Sequence, residues 1–142
     1  MTNTASAGFK NKTLASFLAL SLGGLGAQRF YLYGTKDRLA WLHLASLPVS
    51  FALSQIYFGW PGIASYALFL ISVLIALVHA LVIGLCNDEK WDAQHNSTLT
   101  QRSHSGWPLA LILVVTLGWG AILLIGLIAR SFDLLYTGGA YG

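Results

Sequence analysis

Apolar residues fill long stretches of the chain, and polar residues gather in short connectors between them. From Leu39 to Asn87 the chain runs 49 residues without an Asp, Glu, Lys or Arg. A single helix of that length, at about 1.5 Å per residue, would reach roughly 74 Å, more than twice a hydrocarbon core of about 30 Å. The run must therefore fold back. Gly59-Trp60-Pro61-Gly62 supplies the turn, with a helix-breaking proline, two glycines and an interfacial aromatic. Two spans are predicted, Lys36–Phe58 and Gly62–Asn87. Ser103–Ala129 is also free of acidic and cationic side chains, and its core from Trp107 is long enough for another crossing. A shorter first segment, Thr13–Tyr33, carries Arg29. The pattern predicts an all-α polytopic membrane protein, a bundle of four transmembrane helices, with three spans as the alternative if the first segment lies shallow or re-entrant.

Composition agrees, with 56% hydrophobic against 9% charged residues. At 142 residues the chain accommodates one membrane domain and no separate soluble one. The net charge of +3 comes from cations scattered beside apolar segments, which indicates topology and lipid headgroups, not nucleic acid. The single cysteine, Cys86, forms neither an intramolecular disulfide nor a cysteine-pair metal site. Lys10 and Lys12 before an apolar stretch resemble a signal peptide, but Leu25 stands where a small residue is wanted before Gln28, and the aromatic run continues. A retained first segment is expected.

Loop charge sets the expected orientation. The connector 29–38, with Arg29, Lys36 and Arg38, and the loop 87–106, with Lys90 and Arg102, carry cations, whereas the Trp60 turn carries none. By the positive-inside rule both connectors are cytoplasmic. If the first segment spans, Lys10 and Lys12 lie outside, against that rule; if it is re-entrant they stay inside.

Residues 10–38 resemble the two-transmembrane "TM-two" domain family, the NINE-type small membrane proteins of bacteria. The resemblance is carried by Lys10, Lys12, Ala15 and Leu20, then Gly23, Gly24, Leu25 and Gly26, and by Arg29, Phe30, Tyr31 and Leu32 followed by Gly34. The family usually has His where this chain has Gln28, and an Asp near a Trp at the end of its second helix where this chain has a longer apolar run. The resemblance implies a helix hairpin whose short cytoplasmic connector bears the Arg-Phe pair, a bacterial inner-membrane location, and no catalytic activity.

Two features stand out within the apolar segments. Ala15, Ala19, Gly23 and Ala27 recur every four residues and predict a bare helix face for close packing, against either a second copy or the chain's own helices. His43, Ser46, Ser50 and Ser54 share one face of the second segment, and Ser65, Ser72, His79 and Cys86 recur every seven residues in the third. Depth counted from the connectors pairs His43 with His79 and Ser50 with Ser72. Intramembrane ionisable residues mark functional sites, although a neutral His can serve as interhelical glue worth about 0.6 kcal/mol. Pro48 lies between these residues and frees the carbonyl of Leu44.

The remaining candidates are weaker. Asp88, Glu89, Asp92, His95 and His104 share no metal-ligand spacing and read as a solvated loop. Asn96-Ser97-Thr98 matches a glycosylation sequon in a loop expected in the cytoplasm. In the last segment Thr116, Gly120 and Gly126 are packing positions, Arg130 marks the end, and the glycine-rich 136–142 reads as a disordered tail. No phosphate loop, dinucleotide fingerprint or nucleophile motif is present. The expectation is a small non-enzymatic membrane protein with no cofactor and no metal. Its expected partners are lipids, further copies of itself or other membrane subunits, and it acts by helix packing in a membrane complex. The alternative is a proton or small-solute channel or transporter component using the His/Ser seam.

Overall fold

The computed structural model describes residues 8–140, and the last part of the expected tail, 141–142, lies outside them. The described chain is helical: α1 Lys12–Leu22, α2 Ala27–Tyr33, α3 Arg38–Ile56, α4 Gly62–Ser65, α5 Ala67–Leu85, α6 Asp88–His95 and α7 Trp107–Thr137. Three of these, α3, α5 and α7, are long and apolar enough to cross a membrane. The three-span alternative therefore replaces the expectation of four.

The first segment fails to span because its helix is broken. Asn11 caps α1 by accepting a hydrogen bond from Leu14 N at 3.1 Å, and the helix runs eleven residues before a tight 3-10 turn at Gly23–Leu25. Gly26 then takes φ +79°, a left-handed conformation that only glycine adopts cheaply, and α2 leaves in a new direction. The return is fixed at its end. Lys10 Nζ donates to Tyr31 O at 2.7 Å, and Asn11 N donates to the Tyr31 hydroxyl at 2.8 Å. The end of α2 thus comes back to the start of α1, and the pair forms a re-entrant hairpin. Gly23 approaches Ala76, ten residues before Cys86 and so about 15 Å from that end of α5, near the middle of a core of about 30 Å.

The hairpin settles the charge anomaly. Lys10 and Lys12 lie on the same side of the bundle as Arg29, Lys36, Arg38, Lys90 and Arg102, leaving Arg130 as the one cation towards the other end. We call the cationic side the near side. From there α3 crosses to the Trp60 turn, α5 returns, and α7 crosses again. At the far turn Tyr57 stacks on Trp60 with ring centroids 4.4 Å apart, a compact aromatic pair suited to the interface.

The central helix is α5, against which α1, α3 and α7 all pack. Its small residues permit this. Ala76 and Ala80 are fully buried, and a Cβ on Gly84 would lie 2.3 Å from Leu113 Cδ2, so α7 passes close by. Thr116 is buried on α7 and bonds back to Ile112 O, and Gly120 faces Leu77, as the packing positions predict; Gly126 meets nothing. Arg130 does not end this helix. Two further turns follow, with Arg130 paired to Asp133 and Phe132 stacked on Tyr136, before Gly138 closes it at φ +68°. At about 46 Å, α7 is longer than the hydrocarbon core.

Candidate functional site

Three polar arrangements converge on the hairpin. The deepest lies where α3 and α5 meet the Gly23–Gly26 turn. His43 Nδ1 lies 2.6 Å from Ser72 Oγ, and Ser72 Oγ donates to Gly24 O at 2.7 Å. A serine has one hydroxyl proton, and here the carbonyl receives it. His43 must then donate from Nδ1, which fixes its tautomer and leaves Nε2 as the acceptor. The glycines make this possible. A Cβ on Gly26 would lie 2.8 Å from Ala40 O and 3.0 Å from His43 Cβ, so a bare backbone lets the turn sit against α3 beneath the imidazole.

This pairing differs from the depth count, which set His43 opposite His79 and Ser50 opposite Ser72. Counting from the connectors assumed that both helices start at equal depth, whereas His43 bonds two turns nearer the start of α5 than His79. Ser50, fully buried, accepts from Phe69 N at 3.2 Å, one of the first-turn amides of α5 that has no partner in its own helix. Ser46 bonds locally to His43 O at 2.6 Å. The seven-residue stripe does face inward: Ser65 and Ser72 are buried, and His79 and Cys86 are half-buried towards the near side.

Beside the imidazole, α3 and α5 diverge around a cleft of about 410 Å³. Its walls are aliphatic, with His43, Ser46 and Ser72 as polar points, and Arg29 stands at its near-side end. Arg29 Nε donates to Asp37 at 2.6 Å, and its guanidinium lies 5.1 Å from the Tyr33 ring centroid. That hydrogen bond from Arg29 holds the Asp37 carboxyl below its ordinary value, outweighing the opposing effect of burial. Asp37 also caps α3 through Leu39 N at 3.1 Å, as its position predicts.

Most residues of the motif at 23–34 now have a physical part. Gly23, Gly24 and Gly26 allow the reversal against Ala76, Val73 and Ala40; Phe30 meets Trp41 edge-on at 5.4 Å; Tyr31 ties the hairpin ends; and Gly34 ends α2 at φ +75°. Gln28 is 0% exposed, and neither end of its amide has a hydrogen-bond partner among the described residues. The packing face is used inside the chain, with Ala15, Ala19 and Gly23 buried. It does not include Ala27. The four-residue period assumed an unbroken helix, and the break at Gly26 starts a new face on which Ala27 is only half-buried.

The near-side cluster is what sequence reasoning missed. The loop 87–106 is not simply solvated: Asn87 caps α6, and Trp91, Asp92 and Asn96 are 2%, 3% and 1% exposed. Lys12, only 5% exposed, bonds Asp88 and Ser105 Oγ, each at 2.8 Å, and also Cys86 O. Asp92 accepts from Asn96 Nδ2 at 2.9 Å and from Ser103 N at 2.7 Å. Asn96 Oδ1 accepts from Lys10 N at 2.8 Å, and Trp91 Nε1 donates to Lys10 O at 3.0 Å. The sequon asparagine is thus a buried strut with its amide nitrogen engaged, not an accessible acceptor for a glycan. An asparagine cap followed by Asp88 and Glu89 was a legible helix start.

Electrostatics follow from these bonds. Burial alone would push the Asp88 carboxyl up, but hydrogen bonds from Lys12 and Ser105 together hold it down at about 2. Asp92 is lowered by hydrogen bonds from Asn96 and Ser103. His95, stacked on Trp91 at 4.1 Å, is lowered by burial. Among the described residues no three His, Cys, Asp or Glu side chains group to hold a metal ion.

Comparison of the chain with protein-family models, with curated proteins and with solved structures gives no match. The site is accordingly read from its own geometry.

Proposed function

We propose that this protein is a component of a proton or small-solute channel or transporter, with the His43/Ser72 seam as its polar path. The observation that carries the reading is the His43–Ser72–Gly24 hydrogen-bond chain set beside an open cleft, within the span of two membrane-length helices. A single-tautomer imidazole whose Nε2 has no hydrogen-bond partner among the described residues accepts a proton or a polar solute hydrogen entering past Arg29. Towards the near side His79 continues the same stripe. The TM-two resemblance of residues 10–38 and a bacterial inner-membrane location belong to this proposal, with 29–38 and 87–106 in the cytoplasm.

The test is pH-driven flux in reconstituted vesicles. Wild type is expected to carry a pH-dependent flux that His43→Leu/His79→Leu and Ser72→Ala lose while remaining folded. Equal flux in wild type and the double-Leu variant, or none in wild type, would sink the reading.

A second reading, an accessory subunit that assembles by helix packing, is favoured by α7, where Gly118 and Gly126 present backbone that meets no atom within 4 Å. The packing face on α1 does not serve that purpose, being buried. Detergent-solubilised mass and co-purifying subunits separate this reading from the first.

Orientation is tested independently. In a Cys86-free variant, cysteines at Gly59 or Gln55 are expected to react with a membrane-impermeant thiol reagent in whole cells, and cysteines at Gly8 or Gln94 are not. Reaction at Gly8 but not at Gln94 would restore a first segment that spans.

A further inference from the structure

The cleft between α3 and α5 has two chemically distinct parts. Its length is aliphatic, with Leu39, Leu42, Val49, Leu68 and Ile75 along it, and on α3 it covers about 15 Å from Leu39 to Val49. Its near-side end carries Arg29. Only the guanidinium Nε of Arg29 is engaged by a carboxylate, so its terminal nitrogens retain donors for an anion. Exposed Lys36 and Arg38 stand on the same connector, which with Arg29 and against Asp37 carries a net positive charge.

These features select an occupant. A transmembrane helix, about 10 Å across, would enter a cleft of about 410 Å³ with its side chains alone. A free inorganic anion would leave the aliphatic length unused. An amphiphile with one apolar chain and a negative head matches both parts, with the head at the depth where the near-side connectors meet the interface. We infer that this cleft is a binding site for an anionic glycerophospholipid of the near-side leaflet, one acyl chain lying between α3 and α5 and its phosphate held by Arg29. A lipid seated here would plug the entry past Arg29 proposed above, so the site and conduction through it are alternatives for the same cleft, and the lipid site does not depend on the seam conducting.

The test uses full-length protein equilibrated in micelles containing equimolar phosphatidylglycerol and phosphatidylcholine, with bound lipid counted by native mass spectrometry. Wild type is expected to retain phosphatidylglycerol about fivefold over phosphatidylcholine, corresponding to about 1 kcal/mol for one cation at the surface. Arg29→Gln is expected to bring that ratio to about one. Because Arg29→Gln also breaks the Asp37 pair, Ala45→Phe provides the second arm: it fills the cleft without touching any polar contact, and should remove bound lipid of both kinds while the protein melts as wild type does. Equal retention of the two lipids by wild type overturns the assignment, as does undiminished lipid in folded Ala45→Phe. A dimer that Ala45→Phe splits would identify a second copy as the occupant and equally overturn it.

Discussion

Gly26→Ala is expected to destabilise the folded protein by about 2–5 kcal/mol, far beyond what one methyl group usually does. A left-handed backbone costs a residue with a Cβ about 1–2 kcal/mol. The added carbon would also lie 2.8 Å from Ala40 O, a backbone atom that cannot rotate away, and such overpacking costs about 1–3 kcal/mol. Gly23→Leu should do as much by a different route, since its first carbon would already be 2.5 Å from Ala76 Cβ. Two controls fix the interpretation. Gly59→Ala meets nothing within 4 Å and should be silent, and Gly118→Ala, in open space inside α7, should stabilise by up to about 1 kcal/mol. The measurement is thermal unfolding in detergent with monomer yield from size exclusion. If Gly26→Ala and Gly59→Ala melted together, the re-entrant turn would be wrong.

Asp88→Asn is expected to cost about 2–3 kcal/mol, because Lys12 would then be a largely buried ammonium without its carboxylate, keeping only neutral acceptors. Acid reproduces the effect in wild type. The folded Asp88 titrates at about 2 against an ordinary 3.8, so its stabilisation is present in full well above 3.8 and is lost as pH falls towards 2. Limited proteolysis should show residues 8–11 released over that window, and at neutral pH in Asp88→Asn. The variant's own unfolding should change less with pH there than that of wild type. Identical acid sensitivity of the two proteins would mean that Lys12 and Asp88 do not hold the cap.

Much of this fold was legible because apolar length and turn chemistry are local properties. The span limits near Arg38, Ile56, Leu85 and Trp107 follow from caps and breakers, and Asp37, Pro61 and Trp60 behave as their types dictate. The break at Gly26 was harder. Its glycine-rich run also suits a close-packed continuous helix, and the choice depends on Ala40 and Ala76, far along the chain. The excess of cations on one side held the missing clue, since only a re-entrant first segment satisfies it. The seam residues were found by periodicity, but their partners were not, because the register of α3 against α5 is set by contacts such as His43–Ser72 and Ser50–Phe69 and not by equal distance from the connectors. The near-side cluster escaped notice since Lys10 and Lys12, from the other end of the sequence, complete the contacts that Asp88, Asp92 and Asn96 make with Ser103 and Ser105.

That last dependence constrains the order in which the molecule is made. Lys10 bonds Asn96 across 86 positions, and Lys12 bonds Asp88 and Ser105 across 76 and 93. During synthesis the first thirty residues emerge before any of these partners exists, and before α5 offers Ala76 to the glycine turn. The hairpin 12–33 cannot complete its packing until α5 and the loop 87–106 have followed it out. Its docking is therefore a late step, limited by a search over long chain separation and not by helix formation.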